Sequence, residues 1–195
     1  MALKPIVPYG NPILRRQSAR VEAIDGEVIR LIDDLVETMK AAGGVGLAAS
    51  QIGVSLMVMV IDWSVLEEDG IPQAYLNPEI LESGNKTATY DEGCLSFPKT
   101  SAEVIRPDSI KIRYQELDGE WFEEEIADFP AHVFQHELDH LLGVLFIDRI
   151  STAERARIKD DLQAILEGLV KPFDGTEPAE PEKAPMKRRK RVPVT

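Results

Sequence analysis

The chain has 195 residues, of which 44% are hydrophobic, and a formal net charge of -12 at pH 7. That length suffices for one domain with a proper core and is too short for two, and no stretch approaches the roughly 18 apolar residues that a membrane span needs. The first residues lack the apolar block of a secretory signal, and the single cysteine, Cys94, excludes an intramolecular disulfide. We expect a soluble cytoplasmic protein that does not contact membranes.

Positive charge is concentrated in the last segment of the chain. Gly175 to Thr195 contains six Lys or Arg and three Glu, and subtracting this +3 from the net charge of -12 leaves -15 on the preceding residues. The acidic residues before Gly175 repel nucleic-acid phosphates, and we therefore expect no DNA partner. Any contact with RNA would have to come through the tail. The composition predicts a folded domain over residues 1–173 and a tail over 174–195, rich in Pro, Glu, Lys and Arg, that cannot fold alone.

The first predicted elements are a helix and a buried strand. Apolar residues recur at helical spacing from Asp25 to Met39, which predicts an amphipathic helix. The glycine-rich segment from Ala41 to Gly46 must end this helix, and the apolar run from Leu56 to Ile61 is typical of a buried strand.

Strands are expected to fill the middle of the chain and helices its last third. Ile110 to Tyr114 alternates between apolar and polar residues and precedes Asp118-Gly119, a hairpin turn signal. Apolar residues follow a helical period from Ala131 to Leu142, and again from Thr152 to Leu169 with charged residues on the outer face. The order helix, strands, helix, helix predicts an α+β domain.

The strongest chemical signal is the HExxH pattern of residues 136–140, inside a predicted helix. His136 and His140 differ by about 40° around the helix and by one turn along it, so both rings can reach one metal ion. Glu137 would flank that ion, where a carboxylate can take a proton from the metal's water and pass it to a leaving group. The alternative is a chance match, because so short a pattern also occurs in unrelated helices.

A catalytic metal site of this kind needs a third protein ligand. No histidine follows His140, and later acids such as Asp148 and Glu154 could serve only if the helix ended abruptly. Cys94 is the other candidate, because its thiolate would complete a Cys/His/His set. A buried small hydrophobe is nevertheless the commoner role for a lone cytosolic cysteine.

His132 lies one turn before His136 and about 80° from His140 around the helix. Because three successive turns rarely converge on one point, we expect His132 to line a pocket or to be a hydrogen-bonded histidine on the helix face. We do not expect it to be a metal ligand.

The segment from Gly44 to Gly53 is a candidate binding loop. Its glycines and alanines allow a ligand to approach the backbone closely, and Gln51 offers a donor and an acceptor in an otherwise apolar run. The segment lacks the features of a phosphate loop or a dinucleotide-binding turn. A tight turn between the helix and the strand would explain it equally well.

Three segments in order, GVGLAASQ, EGCLSFP and QHELDHLLGVLFIDR, resemble the three motifs of the peptide deformylase family. Pro12 to Arg15 and Val104 to Pro107 are also similar to that family, so the likeness runs from about Ile6 to about Leu169. The resemblance implies small antiparallel sheets around the HExxH helix, with an N-terminal and a C-terminal helix. It also implies hydrolysis of the N-formyl group from the formyl-methionine of nascent polypeptides, which releases formate.

The resemblance further implies one divalent metal ion per chain, held by Cys94, His136 and His140 with water in the fourth place. Ferrous iron is the family's usual physiological metal, and zinc, nickel or cobalt can also occupy such a site. A thiolate with two imidazoles suits several of these ions, so the sequence does not choose among them.

Catalytic and substrate-binding roles follow from the same resemblance. The N–H of Leu95 and the side-chain amide of Gln51 would stabilise the developing oxyanion, and Glu137 would protonate the leaving amine. The backbone of Gly46 would pair with the extended substrate. The pocket for the methionine side chain would be bordered by Val45, Phe129, His132, Val133 and His136.

Two positions depart from the family pattern. Tyr90 stands where relatives more often have an aliphatic residue, and Ser101 stands where some members have an arginine that contacts the substrate. Both departures leave the chemistry intact and bear on substrate preference. Two rival interpretations are a zinc endopeptidase, whose third ligand would not be Cys94, and a noncatalytic binding module with the same fold.

The basic run from Lys187 to Arg191 is most simply a solvated charge run. Because the implied substrate emerges from ribosomes, a further hypothesis is that this run contacts ribosomal RNA. The absence of a presequence favours a bacterial cytosol.

Overall fold

The structure, a computed structural model, describes residues 2–176. Within these residues the chain forms four α-helices and seven β-strands. In chain order the elements are α1 (Gly26–Ala41), β1 (Gly46–Ala48), β2 (Val58–Asp62), β3 (Pro72–Ser83), β4 (Thr87–Cys94), β5 (Phe97–Pro107), β6 (Ser109–Gln115), β7 (Trp121–Ala127), α2 (Asp128–Leu141), α3 (Thr152–Arg157) and α4 (Lys159–Leu166).

Helix α1 begins where the sequence predicts, because Asp25 caps it. The Asp25 carboxylate accepts hydrogen bonds from the N–H groups of Glu27 and Val28, which have no acceptor within the helix. The buried face of the helix carries Val28, Ile32, Leu35, Thr38 and Met39. The prediction of a helix from Asp25 to Met39 is confirmed.

A five-stranded antiparallel sheet, in the order β1-β2-β3-β6-β7, lies between α1 and α2. Strand β2 is buried along its whole length because its two faces pack against different helices. Val58 and Val60 belong to the core on the α1 side, and Met59 and Ile61 belong to the core on the α2 side. The predicted buried strand from Leu56 to Ile61 is therefore confirmed.

Two hairpins complete the strand arrangement. Strands β6 and β7 pair antiparallel, and the loop between them contains Asp118 and Gly119, whose φ of 85° suits a glycine. Strands β4 and β5 form a separate two-stranded sheet, joined by a turn of only two residues, Leu95 and Ser96. The strand and turn predicted over residues 110–119 are confirmed.

Helix α2 is central, and every residue from Ala131 to Leu141 is buried. It packs against β1, β2 and β7 of the large sheet and against both strands of the β4–β5 hairpin. The helix predicted from Ala131 to Leu142 is confirmed, and the α+β fold class with it.

The single helix predicted from Thr152 to Leu169 is wrong in detail. The chain forms α3 and α4 instead, because the fully buried Ile158 packs into the core next to β5 and takes φ -93° and ψ 8°, outside helical geometry. After α4 the chain returns to the N-terminal segment, where the Ile6 N–H donates to the Phe173 carbonyl at 2.8 Å.

No helix among residues 2–176 combines the length and apolar character that crossing a bilayer requires. The tail predicted over 174–195 lies outside the described residues from position 177 onward.

Candidate active site

Two elements bring together three side chains of types that can bind a metal ion. His136 and His140 project from α2, and Cys94 ends β4 at the two-residue turn. Nε2 of His140 lies 3.2 Å from Sγ of Cys94, and the ligand atoms of all three residues lie within 4.8 Å of one another. A tetrahedral ion with bonds of about 2.0–2.3 Å separates its ligand atoms by roughly 3.3–3.6 Å. These residues could therefore hold one divalent metal ion.

The electrostatics of the two histidines also fit a bound cation. Burial lowers the pKa of His140 well below its usual value, so the ring is neutral, which is the form that ligates a metal. Burial also lowers the pKa of His136, but Glu92 and the sulfur of Cys94 raise it well above the usual value. Glu92 and Cys94 thus favour positive charge at Nε2 of His136, whether a proton or a metal ion supplies it.

Glu92 is the buried carboxylate behind His136. Its Oε1 accepts hydrogen bonds from His136 Nδ1 and, at 2.8 Å, from Arg106 Nη2. Its Oε2 accepts from His132 Nε2 at 2.6 Å and from Arg106 Nε at 2.9 Å. Burial raises the pKa of Glu92, but these partners outweigh it and hold the pKa well below its ordinary range. Because the carboxylate is ionised, Nδ1 of His136 donates and Nε2 faces Cys94.

The charged network continues from Arg106 across the back of α2. Arg106, whose side chain is 2% exposed, also donates from Nη1 to Asp139 Oδ2 at 2.7 Å. Asp139 in turn accepts hydrogen bonds from Arg149. These ion pairs tie the HExxH helix to β5 and to the segment that follows the helix.

Glu137 lies beside β1 and is 4% exposed. A Cβ added to Gly46 would lie 2.6 Å from Oε1 of Glu137 and 2.8 Å from its Cγ, so only glycine leaves room for this carboxylate. Burial is the main cause that raises the pKa of Glu137 to about 7. Among residues 2–176, Oε2 of Glu137 has no hydrogen-bond partner. A carboxyl group with this pKa can take up and release a proton near neutral pH.

Gln51 and Leu95 both lie next to Cys94, one in space and one in the chain. The N–H of Ala48 donates to Oε1 of Gln51 at 2.8 Å, which turns the amide nitrogen toward the site. Nε2 of Gln51 lies 3.5 Å from both Sγ of Cys94 and Oγ of Ser96. Leu95 directly follows Cys94, in the turn between β4 and β5. The structure therefore brings both residues to the cluster.

The remaining predicted pocket residues lie along the N-terminal half of α2 and next to β1. Val45 and Phe129 are partly buried and pack on the hydrophobic cluster that contains Val133. Tyr90 covers this region, with its ring centroid 5.4 Å from that of Phe129 and 4.9 Å from that of His132. Tyr90, which departs from the family pattern, thus borders the predicted pocket.

Ser101, the other departure, lies opposite Gly93 in the β4–β5 register. Its hydroxyl donates to Oδ2 of Asp91 at 2.9 Å.

Sequence reasoning missed the charged residues behind the histidines, namely Glu92, Arg106, Asp139 and Arg149. All four lie within the segments that carry the family resemblance, where charged residues interrupt otherwise apolar stretches. That interruption was the available signal. It did not reveal the pairing, because Arg106 is 14 residues from Glu92 and 33 from Asp139 and contacts both only in the fold.

Comparisons with known proteins identify the family. The family model described as polypeptide deformylase matches residues 3–156. The peptide deformylase of Agrobacterium fabrum is 47% identical over 155 residues, which are 80% of this chain and 91% of the relative. A solved plant peptide deformylase is similar with a TM-score of 0.81 at 38% identity, covering 86% of this chain and 90% of the plant chain. The solved peptide deformylase from Thermotoga maritima is similar with a TM-score of 0.73 at 45% identity, covering 77% of this chain and 99% of the Thermotoga chain. The chain belongs to the peptide deformylase family of metal-dependent hydrolases.

Proposed function

We propose that this chain removes the N-formyl group from nascent formyl-methionine polypeptides at a metal ion held by Cys94, His136 and His140. The observation that carries the proposal is the convergence of these three donors to within 4.8 Å of one another. Two of them lie on the helix that also bears the buried Glu137. When bound, the ion would polarise the formyl carbonyl and lower the pKa of a water molecule. We propose ferrous iron as the cellular metal, because it is the usual physiological metal of the family. Zinc, nickel or cobalt could replace it, because the mixed thiolate and imidazole set suits all of them.

The substrate would bind along β1, which is an edge strand of the large sheet. The backbone of Gly46 would pair with the extended peptide, as a peptide adds to an exposed sheet edge. The methionine side chain would enter the mostly apolar pocket, which is lined by Val45, Phe129, His132 and Val133.

Two donors would stabilise the oxyanion that develops on the formyl oxygen. These are Nε2 of Gln51, oriented by its bond from the Ala48 N–H, and the backbone N–H of Leu95. A donor of this kind is typically worth about 2.7–4 kcal/mol of barrier. Glu137 would take a proton from the attacking water and deliver it to the leaving amine, which releases formate and a free methionine terminus.

The test is formate release from a formyl-Met peptide by protein purified without oxygen, together with metal analysis. We expect activity that needs about one metal ion per chain. Glu137→Ala should keep the metal and lose activity, whereas Cys94→Ala should lose both. Internal cleavage of an unformylated peptide without formate release would instead support an endopeptidase. Metal binding with neither reaction would support a binding module.

We also propose that the reaction takes place in a bacterial cytoplasm and that the basic run Lys187 to Arg191 contacts ribosomal RNA. The support for the second proposal is charge, since this run is positive and the residues before Gly175 carry -15. Deleting Pro185 to Thr195 should abolish salt-sensitive co-sedimentation with ribosomes. Unchanged co-sedimentation would refute the tail's role.

A further inference from the structure

The carboxylate of Glu92 accepts hydrogen bonds from two imidazoles, of which only His136 belongs to the metal cluster. A carboxylate offers about four acceptor positions. Glu92 fills all four with His136 Nδ1, His132 Nε2 and two N–H groups of Arg106. Glu92 and His132 are 6% and 3% exposed, so water cannot readily replace a lost partner.

We propose that His132 is a positioning residue for His136, which it orients through the carboxylate they share. The donor from His132 fixes Oε2 of Glu92 and thereby the direction of Oε1, which receives Nδ1–H of His136. That bond keeps Nε2 of His136 directed at Cys94. Partners behind a metal ligand set its orientation and tautomer in this way. The inference rests on the proposed function, in which His136 is a metal ligand.

The structure offers a second explanation for His132, and the two differ in their consequences. Its ring and that of Tyr90 form a T-shaped pair with centroids 4.9 Å apart, so His132 could instead act only as a wall of the methionine pocket. A pocket wall would alter the preference between formyl-methionine and other formyl-aminoacyl peptides and leave the metal unaffected. A positioning residue would alter the rate of metal release in the absence of any substrate. It would also change the rate of formate release from all substrates by the same factor.

The test uses the full chain loaded with cobalt(II), whose visible spectrum reports the geometry of its ligands. Metal release to a chelator is followed in the parent and in His132→Leu, which removes the donor, and His132→Gln, which restores an N–H donor. Gln135→Leu is the matched control, because Gln135 is another buried polar residue of α2, and its amide donates to the carbonyls of Pro107 and Ala131 instead of to Glu92.

We expect His132→Leu to release cobalt about tenfold faster with an altered spectrum, because partners behind a ligand typically change metal affinity by about 10–100-fold. His132→Gln and Gln135→Leu should release cobalt at close to the parental rate and keep the parental spectrum. The proposal is overturned if His132→Leu keeps the parental rate and spectrum, or if the glutamine variant is as fast as the leucine variant. Absence of formate release from the cobalt-loaded parent would count against the proposed function alone, since metal release is measured without substrate.

Discussion

Replacing Gly46 by alanine tests whether the position of the Glu137 carboxylate limits the reaction. The added Cβ would lie 2.6 Å from Oε1 of Glu137, whereas ordinary contact begins at 3.4 Å, so one of them must shift by roughly 0.8 Å. Glu137 is 4% exposed and cannot swing into solvent, so the shift falls on the carboxylate or on β1. Misplacing a catalytic group by about 1 Å can cost about 10²-fold in rate.

We therefore expect Gly46→Ala to lower kcat for formate release by about 10²-fold, or about 2.7 kcal/mol of barrier. Metal content should be unchanged, because the three atoms nearest to the added Cβ all belong to Glu137. Gly93→Ala is the matched control, since its Cβ would meet no atom within 4 Å, and it should retain the parental kcat. A parental kcat in Gly46→Ala, or loss of its metal, would refute this reasoning.

Three further changes give distinct outcomes. Glu137→Gln should retain the metal and lower kcat by about 10²- to 10⁴-fold in the formate assay. A parental rate would mean that Glu137 does not transfer the proton. Arg106→Leu leaves the buried Glu92 carboxylate without its arginine and Asp139 with Arg149 alone. The free energy of unfolding in urea should therefore fall by about 3–5 kcal/mol, and an unchanged midpoint would contradict the buried network. Burial raises the pKa of Asp148, but its ion pair with Arg15 lowers it below 3.8 overall. The ionised carboxylate thus stabilises the fold above pH 3.8, and the stability difference between the parent and Asp148→Asn should shrink as the pH falls further. A difference that grows on acidification would contradict this assignment.

The predictable parts of the fold are those with local signals. Helix α1 has both apolar spacing and a capping aspartate, and β2 is short and apolar throughout. Strand β4 is mostly exposed or half-buried and pairs with β5 alone, so its sequence lacks a strong strand pattern. Strands β3 and β6 pair although the whole β4–β5 hairpin separates them in the sequence, and no local pattern encodes such a contact. The break at Ile158 likewise arises from tertiary packing that overrides helical periodicity.

The candidate site divides in the same way. The spacing of His136 and His140 on one helix fixes their geometry, so this pair could be inferred directly. Cys94 gives no comparable local signal, and its selection required the resemblance of the surrounding segment. The contact of His132 with Glu92 could not be anticipated, because 40 residues separate them and the hairpin must first pack on α2.

The position of Cys94 next to the two-residue turn has a consequence for the dynamics of the protein. The proposed metal donors come from β4 and α2, and Cys94 and His140 are 46 residues apart in the chain. An ion bound there cross-links the tip of the hairpin to the central helix and binds only where both are in place, so it stabilises the folded state by mass action. Loss of the ion frees the hairpin tip to open locally, and each opening exposes the remaining donors to competing chelators. Demetallation and local unfolding therefore promote each other, and slower amide hydrogen exchange in β4 and β5 on metal loading is the expected signature.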